Sequence, residues 1–266
     1  MAPQTAAGSV QLPPDVAALA VHRAMGPHLR SYQLKRIGVW RWIGFGVFIG
    51  GALVLAIAGA VNGVWLAVPA GLLIAAPFVA IAYQFPEFNP GRARRRVYLF
   101  QDGLIFADGR GGLADYRWDA IAWVTQKIVE RYVNGIYTGT NYLYTIAHRD
   151  GRILKLNQLF AGIAELGRQV SQEVTRVKLP GALALVQQGQ TVGFGDLGIH
   201  AQGLVSSRGA VLPWREVEAV QVVQGHVKLR QAGKWLAWSS KPAAEIQNLF
   251  VFLTLADQLQ RAAHGR

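Results

Sequence analysis

The sequence predicts an α+β protein in which a two-helix transmembrane hairpin precedes two tandem β-rich domains, each closed by a C-terminal helix. Three observations predict this class. Two apolar runs cover 37–61 and 64–85, an internal repeat relates 97–178 to 182–263, and each repeat ends in apolar residues at helical spacing. Residues 1–36 are expected to be a disordered N-terminus carrying a short amphipathic helix.

The two apolar runs are each long enough for a bilayer crossing, which takes about 20 residues. Only Asn62 and Gly63 separate them, and Arg41 is the only charged residue inside either run. Trp40 and Trp42 lie near the start of the first run, and Trp65 lies near the start of the second, where interfacial aromatics are favoured. A membrane hairpin is therefore expected; the alternative is a buried helical hairpin of a soluble protein.

Basic residues flank both ends of the predicted hairpin. The chain has a formal net charge of +12, and the group that follows the second run consists of Arg92, Arg94, Arg95 and Arg96. The positive-inside rule then predicts an inner or plasma membrane protein with both termini in the cytoplasm. The same four arginines are candidates for contact with anionic headgroups, although a topology signal alone would also explain them.

The internal repeat is visible as matched short segments. The turn around Gly103 corresponds to that around Gly203, and a tryptophan begins the next segment at Trp118 and at Trp214. The spacing between the copies then shortens, because the first copy carries an insertion at about 127–141. Both tryptophans are expected to pack in the core or at its rim.

The insertion is the candidate site for a protein partner. Its Asn134-Gly135 pair is typical of a two-residue hairpin turn. Loops carry function more often than the scaffold does, and Tyr with Arg is a favoured interface composition. We therefore predict partner contact by Arg131, Tyr132, Asn134 and Tyr137; a longer, solvent-exposed hairpin without a partner is the alternative.

The repeat also resembles a known family. Two Trp-polar-X-Ile/Val elements, Trp118-Asp119-Ala120-Ile121 and Trp214-Arg215-Glu216-Val217, together with the strand meander and closing helix, are similar to the pleckstrin-homology-like domains of bacterial membrane proteins. The resemblance implies a bent sheet or partly open barrel closed by the C-terminal helix, in a protein of uncharacterised type. Phosphoinositide binding does not carry over cleanly, because no Lys or Arg occurs from 179 to 207.

No catalytic constellation stands out in the sequence. The histidines are scattered, and Gly193, Gly195 and Gly198 match a dinucleotide-binding spacing but precede strand rather than helix. We expect no enzyme activity, cofactor, metal or nucleic-acid partner. The predicted function is a membrane-anchored, cytoplasm-facing binding or scaffold module with the bilayer and an unidentified protein as partners. The alternative is a lipid-sensing or membrane-remodelling protein that recognises anionic headgroups.

Overall fold

The computed structural model describes residues 12–35, 39–83 and 90–265. The chain divides into two compact units, Met1–Tyr116 and Arg117–Arg266. Each unit combines helices with antiparallel strands, and the described strand pairings join strands that are consecutive in strand order.

The first unit begins with a helix that packs on a sheet. Its elements are α1 (Pro14–His22), β1 (His28–Gln33), α2 (Val39–Val61), α3 (Ala67–Ala82), α4 (Pro90–Ala93), β2 (Arg96–Phe100), β3 (Gly103–Ala107) and β4 (Leu113–Arg117). The four strands form one sheet in the order β1-β2-β3-β4. Val16, Ala20 and Met25 are buried against this sheet, with Tyr98 and Phe100 among their neighbours.

The N-terminal segment contains a helix and a strand in the part that the structure describes. Residues 1–11 lie outside the described residues, but from Pro14 onward the segment is ordered into α1 and β1. β1 pairs antiparallel with β2, with Ser31 opposite Tyr98 and Tyr32 opposite Val97. The buried face of α1 covers the sheet, so this helix belongs to the core of the first unit. Sequence periodicity could not reveal the sheet that α1 covers, because β1 pairs with β2, which follows both apolar runs in the chain.

The prediction of a transmembrane hairpin is wrong. Within the described ranges, no helix combines the length and the apolar character needed to cross a membrane. A spanning hairpin needs two such helices, and α3 has only 16 residues, roughly 24 Å against a hydrocarbon core of ~30 Å. Residues 84 and 85 of the second apolar run lie outside the described residues. The prediction of an inner-membrane protein that crosses the bilayer twice is therefore wrong as well.

The small residues of α2 and α3 bring the two helices together. A Cβ atom at Gly71 would lie 2.9 Å from the Cβ atom of Ala56 and 2.7 Å from the carbonyl oxygen of Ala52. Phe48 and Phe78 stack with ring centroids 4.6 Å apart. Close helix packing is thus achieved at the small-residue positions.

The second unit holds the rest of the first repeat and all of the second. After a 3₁₀ turn at Trp118–Ala120 come β5 (Ile121–Val133), β6 (Ile136–His148), β7 (Ile153–Asn157) and α5 (Ile163–Gln187).

The boundary between the repeats, expected at 179–181, lies inside α5, which continues through Pro180. Ala182 and Val186, beyond the proline, are buried in the core of the second repeat, and this burial favours continuation of the helix.

The second repeat has the same order of elements as the first. It contains β8 (Val192–Gly193), β9 (Leu197–His200), β10 (Gly203–Ser206) and β11 (Val211–Pro213), then a 3₁₀ turn at Trp214–Glu216. It closes with β12 (Val217–Val223), β13 (His226–Gln231), β14 (Ala237–Pro242), a 3₁₀ turn at Ala243–Glu245 and α6 (Leu249–Ala263). In the second copy, four strands, a tryptophan-led turn, three strands and a helix follow one another. The first copy has the same order once β1 is counted, although α2, α3 and α4 lie between β1 and β2.

The expected pair of pleckstrin-homology-like bent sheets or barrels is also wrong. The described strands form four small antiparallel sheets, β1–β4, β5–β7, β8–β11 and β12–β14, and no closed barrel. The 3₁₀ turns that begin at Trp118 and Trp214 separate the two sheets of each repeat along the chain. Hydrophobic alternation predicts which residues form strands, but it does not determine which strand edges pair.

Candidate protein-contact hairpin

The β5–β6 hairpin extends well past the sheet to which it belongs. Each of its strands has 13 residues. The third strand, β7, pairs with β6 only from Leu143 to Ala147. The outer part of the hairpin therefore has no third strand, and its residues from 129 to 138 are exposed.

The turn of this hairpin has the geometry that its sequence predicts. Asn134 and Gly135 adopt φ angles of 49° and 79°, and Val133 pairs with Ile136 across them. Positive φ at both central residues defines the type I′ turn, whose twist matches that of paired strands. The sequence thus fixes the end of the hairpin locally.

A bulge lies just before the turn. The register shifts between Arg131, which pairs with Gly139, and Tyr132, which pairs with Tyr137. The hydroxyl of Thr138, the extra residue, donates a 3.0 Å hydrogen bond to the carbonyl oxygen of Arg131. This bond holds the bulge in one conformation, and bulges re-aim the side chains near them.

We call residues 131–138 the hairpin tip; its aromatic and aliphatic side chains form an exposed apolar surface. The rings of Tyr132 and Tyr137 meet edge to face at 5.7 Å. These side chains are 58% and 55% exposed, and Val133 and Ile136 are 57% and 70% exposed. The tip therefore presents four neighbouring large apolar side chains to solvent.

Hydrogen bonds hold the two tyrosines in place. The Tyr132 hydroxyl donates to a Glu130 carboxylate oxygen at 2.9 Å, and the Tyr137 hydroxyl lies 2.7 Å from the Thr140 hydroxyl. The bond to the Glu130 carboxylate, together with its charge, raises the pKa of Tyr132. Both rings are thus oriented before any partner arrives, which reduces the entropy lost on binding.

The structure brings the predicted contact residues together. Arg131, Tyr132, Asn134 and Tyr137 all lie in the hairpin tip. Sequence reasoning missed Val133 and Ile136, the aliphatic pair that flanks the turn. The signal that could have identified them is their position directly beside the Asn134-Gly135 turn, because residues that flank the turn of an unsupported hairpin have nothing to pack against. The partner contact itself stays a prediction.

Three of the arginines proposed for the membrane surface, Arg94, Arg95 and Arg96, differ in their surroundings. Arg94 is exposed, but the Arg95 Nε atom donates to the Asp108 carbonyl at 3.4 Å. The Arg96 guanidinium donates to the carbonyl oxygen of Ala93 at 2.8 Å and to that of Arg95 at 2.9 Å. The side chain of Arg92 lies outside the described residues. Contact of these arginines with anionic headgroups stays a prediction.

The tryptophans follow their predictions. Trp118 and Trp214 are buried, and the indole N–H of Trp214 donates to the His200 carbonyl oxygen at 3.0 Å. Trp235 is 92% exposed, and Trp238 is partly buried. Trp235 lies before β14, beyond the turn that follows β13, and forms a second exposed apolar position.

One polar group of the first repeat has a strongly shifted pKa. Asp150 accepts a 3.0 Å hydrogen bond from the backbone N–H of Arg152, contacts the guanidinium of Arg152 at 2.6 Å, and lies 2.8 Å from the His148 ring. The backbone bond is the main reason that its pKa falls to about 2. These contacts stabilise the β6–β7 turn. Across the part of the chain that the structure describes, no group of three His, Cys, Asp or Glu residues could hold a metal ion.

Comparison with known proteins gives one match. A model of a family of unknown function, DUF6585, matches residues 16–264. No curated protein and no solved structure matches the chain.

Proposed function

The chain belongs to the family of unknown function DUF6585, and we propose that it is a non-catalytic protein-binding module whose contact element is the hairpin tip. A single observation carries the proposal: four large apolar side chains project into solvent on a hairpin end that no third strand supports. A compact exposed patch of this kind is typical of an interaction surface.

The chemistry of the tip supports a protein partner. Tyrosine supplies a large amphipathic contact area at low conformational cost, and tyrosine and arginine are enriched among residues that dominate binding energy. Tyr132, Tyr137 and Arg131 lie together here. The aliphatic pair Val133 and Ile136 adds apolar area that only a complementary apolar surface would cover.

The test is photo-crosslinking in cells that make the full-length chain. A photoreactive phenylalanine analogue replaces Ile136, which is 70% exposed, and in a matched control it replaces Ile153, which is 56% exposed. We expect a discrete protein adduct from position 136 and none of the same mass from position 153.

A second variant ties the adduct to the tip surface. Tyr132→Ser in the chain labelled at position 136 should remove the adduct, because it takes away half of the aromatic pair. The proposal fails if position 136 yields no adduct, if position 153 yields the same one, or if Tyr132→Ser leaves the adduct unchanged.

A further inference from the structure

β5 has one paired edge and one edge that is only partly covered. Its paired edge joins β6, and at the other edge Asn248 contacts Val124. The Val124 N–H donates to the Asn248 side-chain oxygen at 3.0 Å, and the Asn248 N–H donates to the Val124 carbonyl oxygen at 2.8 Å. Asn248 thus supplies one donor and one acceptor, as a residue of a neighbouring strand would.

The same edge continues past Val124 without such a partner. Alternate residues of a strand turn their backbone N–H and C=O groups to the same edge. The pairing of β5 with β6 runs without a register shift from Trp123 to Arg131. Therefore the backbone N–H and C=O groups of Gln126, Ile128 and Glu130 point to the same edge as those of Val124. Among the described residues, hydrogen bonds cover this edge at Ala122 and Val124 and at none of these three positions.

A cleft of about 700 Å³ runs along these three residues. One wall is β5 from Gln126 to Glu130; the other comes from the second repeat, at 224–226 and 242–244. Its size falls within the range of about 300–1,000 Å³ that is usual for ligand sites. Much of its lining is apolar, with Ile128, Val129 and Val222 each more than 40% exposed.

The opposite wall of the cleft is fixed in place. Gln224 and Gly225 form the β12–β13 turn, with φ angles of 51° and 74°. The carbonyl oxygen of Gly225 accepts a 2.8 Å hydrogen bond from the N–H of Ala243. Because this bond ties the turn to the segment before α6, the cleft exists without any ligand.

We infer that this open edge of β5 is a peptide-binding site, which takes an extended, largely apolar segment of a partner protein as an added β-strand. The backbone groups at 126, 128 and 130 require a ligand with donors and acceptors at the two-residue repeat of a strand, and only an extended polypeptide supplies that. An exposed strand edge is in general a template for such pairing.

The charges of the cleft agree with an uncharged, apolar segment. Lys127 and Glu130 line it with one charge of each sign, so it carries no strong net charge. Side chains of the added strand would alternate between the apolar lining and solvent. This site is separate from the hairpin tip, and the inference does not depend on the function proposed for the tip.

The test begins with short random peptides displayed on phage and selected against the full-length chain. Selected peptides are synthesised with a fluorescent label, and their affinity is measured by fluorescence polarisation. We expect apolar residues at alternate positions. Methylating the backbone nitrogens one at a time should weaken binding by about tenfold or more at every second position and leave the intervening positions unchanged.

Two variants of the chain locate the binding site. Ala244→Phe places a ring in the cleft and should abolish binding, whereas Ala237→Phe, on an exposed position of β14, should not. Ile128→Pro removes one outward N–H without breaking a bond to β6, and proline is tolerated on such an edge. It should weaken binding by about tenfold or more. The double variant Tyr132→Ser, Ile136→Ser should bind as the wild type does.

Several results would overturn the inference. The inference fails if selection returns no peptide that Ala244→Phe excludes, or if the methylation scan lacks the two-residue period. Sedimentation tests whether a second copy of this chain occupies the edge. A wild-type dimer that Ala244→Phe converts to a monomer would assign the edge to that second copy instead of a peptide. If Ile128→Pro fails to fold, judged by circular dichroism, Ala244→Phe and the methylation scan decide alone.

Discussion

At the scale of single residues, Gly167 shows how tightly the helix α5 packs on its sheet. A Cβ atom at this position would overlap the ring of Tyr144, which is 3% exposed. We expect Gly167→Ala to lower the free energy of unfolding by about 1–3 kcal/mol, because a methyl group forced into a packed core displaces its neighbours. Urea unfolding followed by circular dichroism measures the change.

Gly181 provides the matched control on the same helix. A Cβ atom there would meet no atom within 4 Å. Alanine is favoured over glycine in a helix by about 1 kcal/mol, so Gly181→Ala should raise the free energy of unfolding. If both substitutions stabilise the protein, α5 does not lie against Tyr144 as the structure has it.

Asp150 is a second test at the residue scale. Its pKa of about 2 in the folded chain is lower than the value of about 3.9 usual for an unfolded one. The carboxylate therefore stabilises the fold above about pH 4, and this contribution is lost as the pH falls toward 2. A carboxyl titration followed by NMR should give a midpoint near 2 for Asp150. A midpoint near 4 would mean that the Arg152 backbone bond does not form in solution.

At the scale of elements, Asn248 joins the start of α6 to β5. It has a φ angle of 50° and bonds the backbone of Val124 in both directions. Asn248→Ala should lower the free energy of unfolding by about 2–4 kcal/mol. It leaves the Val124 N–H without its acceptor, and alanine tolerates the left-handed backbone region less well than asparagine does. Urea unfolding again provides the measurement.

Glycine at the same position separates the two effects. Asn248→Gly keeps the positive φ accessible but removes the side-chain hydrogen bond, so it should cost about 1 kcal/mol less than alanine. Equal losses for the two variants would show that backbone conformation contributes nothing at this junction.

The elements that the sequence predicted well are those decided by neighbouring residues. Asn134 and Gly135 set the hairpin turn, and the glycines at 103 and 203 begin β3 and β10 of the two repeats. The candidate contact residues were found for the same reason, since they flank that turn. In each case the determining interaction lies within a few positions along the chain.

The elements that the sequence did not reveal depend on distant partners. β1 is short and mostly polar, and its strand character comes from pairing with β2 across α2 and α3. α5 continues through Pro180 because Ala182 and Val186 are buried in the second repeat. The prediction of a bent sheet or partly open barrel in each repeat failed for the same reason, because alternation identifies the strands but not which strand edges pair. The peptide cleft also went unseen, as its two walls are about a hundred residues apart.

At the scale of the whole molecule, the second repeat shows what the fold requires of the first. β12 and β13 occupy the places of β5 and β6, with strands of 7 and 6 residues instead of 13. The Gln224-Gly225 turn uses the same positive φ angles as Asn134-Gly135. A short hairpin therefore suffices to complete the repeat, and the projecting part of β5–β6 is free to serve another purpose.

This comparison predicts that the projection can be removed without unfolding the chain. Replacing residues 130–140 with Asn-Gly leaves Val129 and Asn141, which already pair, on either side of a two-residue turn. Because the removed segment has no third strand and is mostly exposed, the free energy of unfolding should change by less than about 1 kcal/mol. Tyr144→Ala, within the three-stranded part, should instead cost about 3–5 kcal/mol. Urea unfolding distinguishes the two, and a large loss in the shortened chain would make the projection a structural element rather than a contact surface.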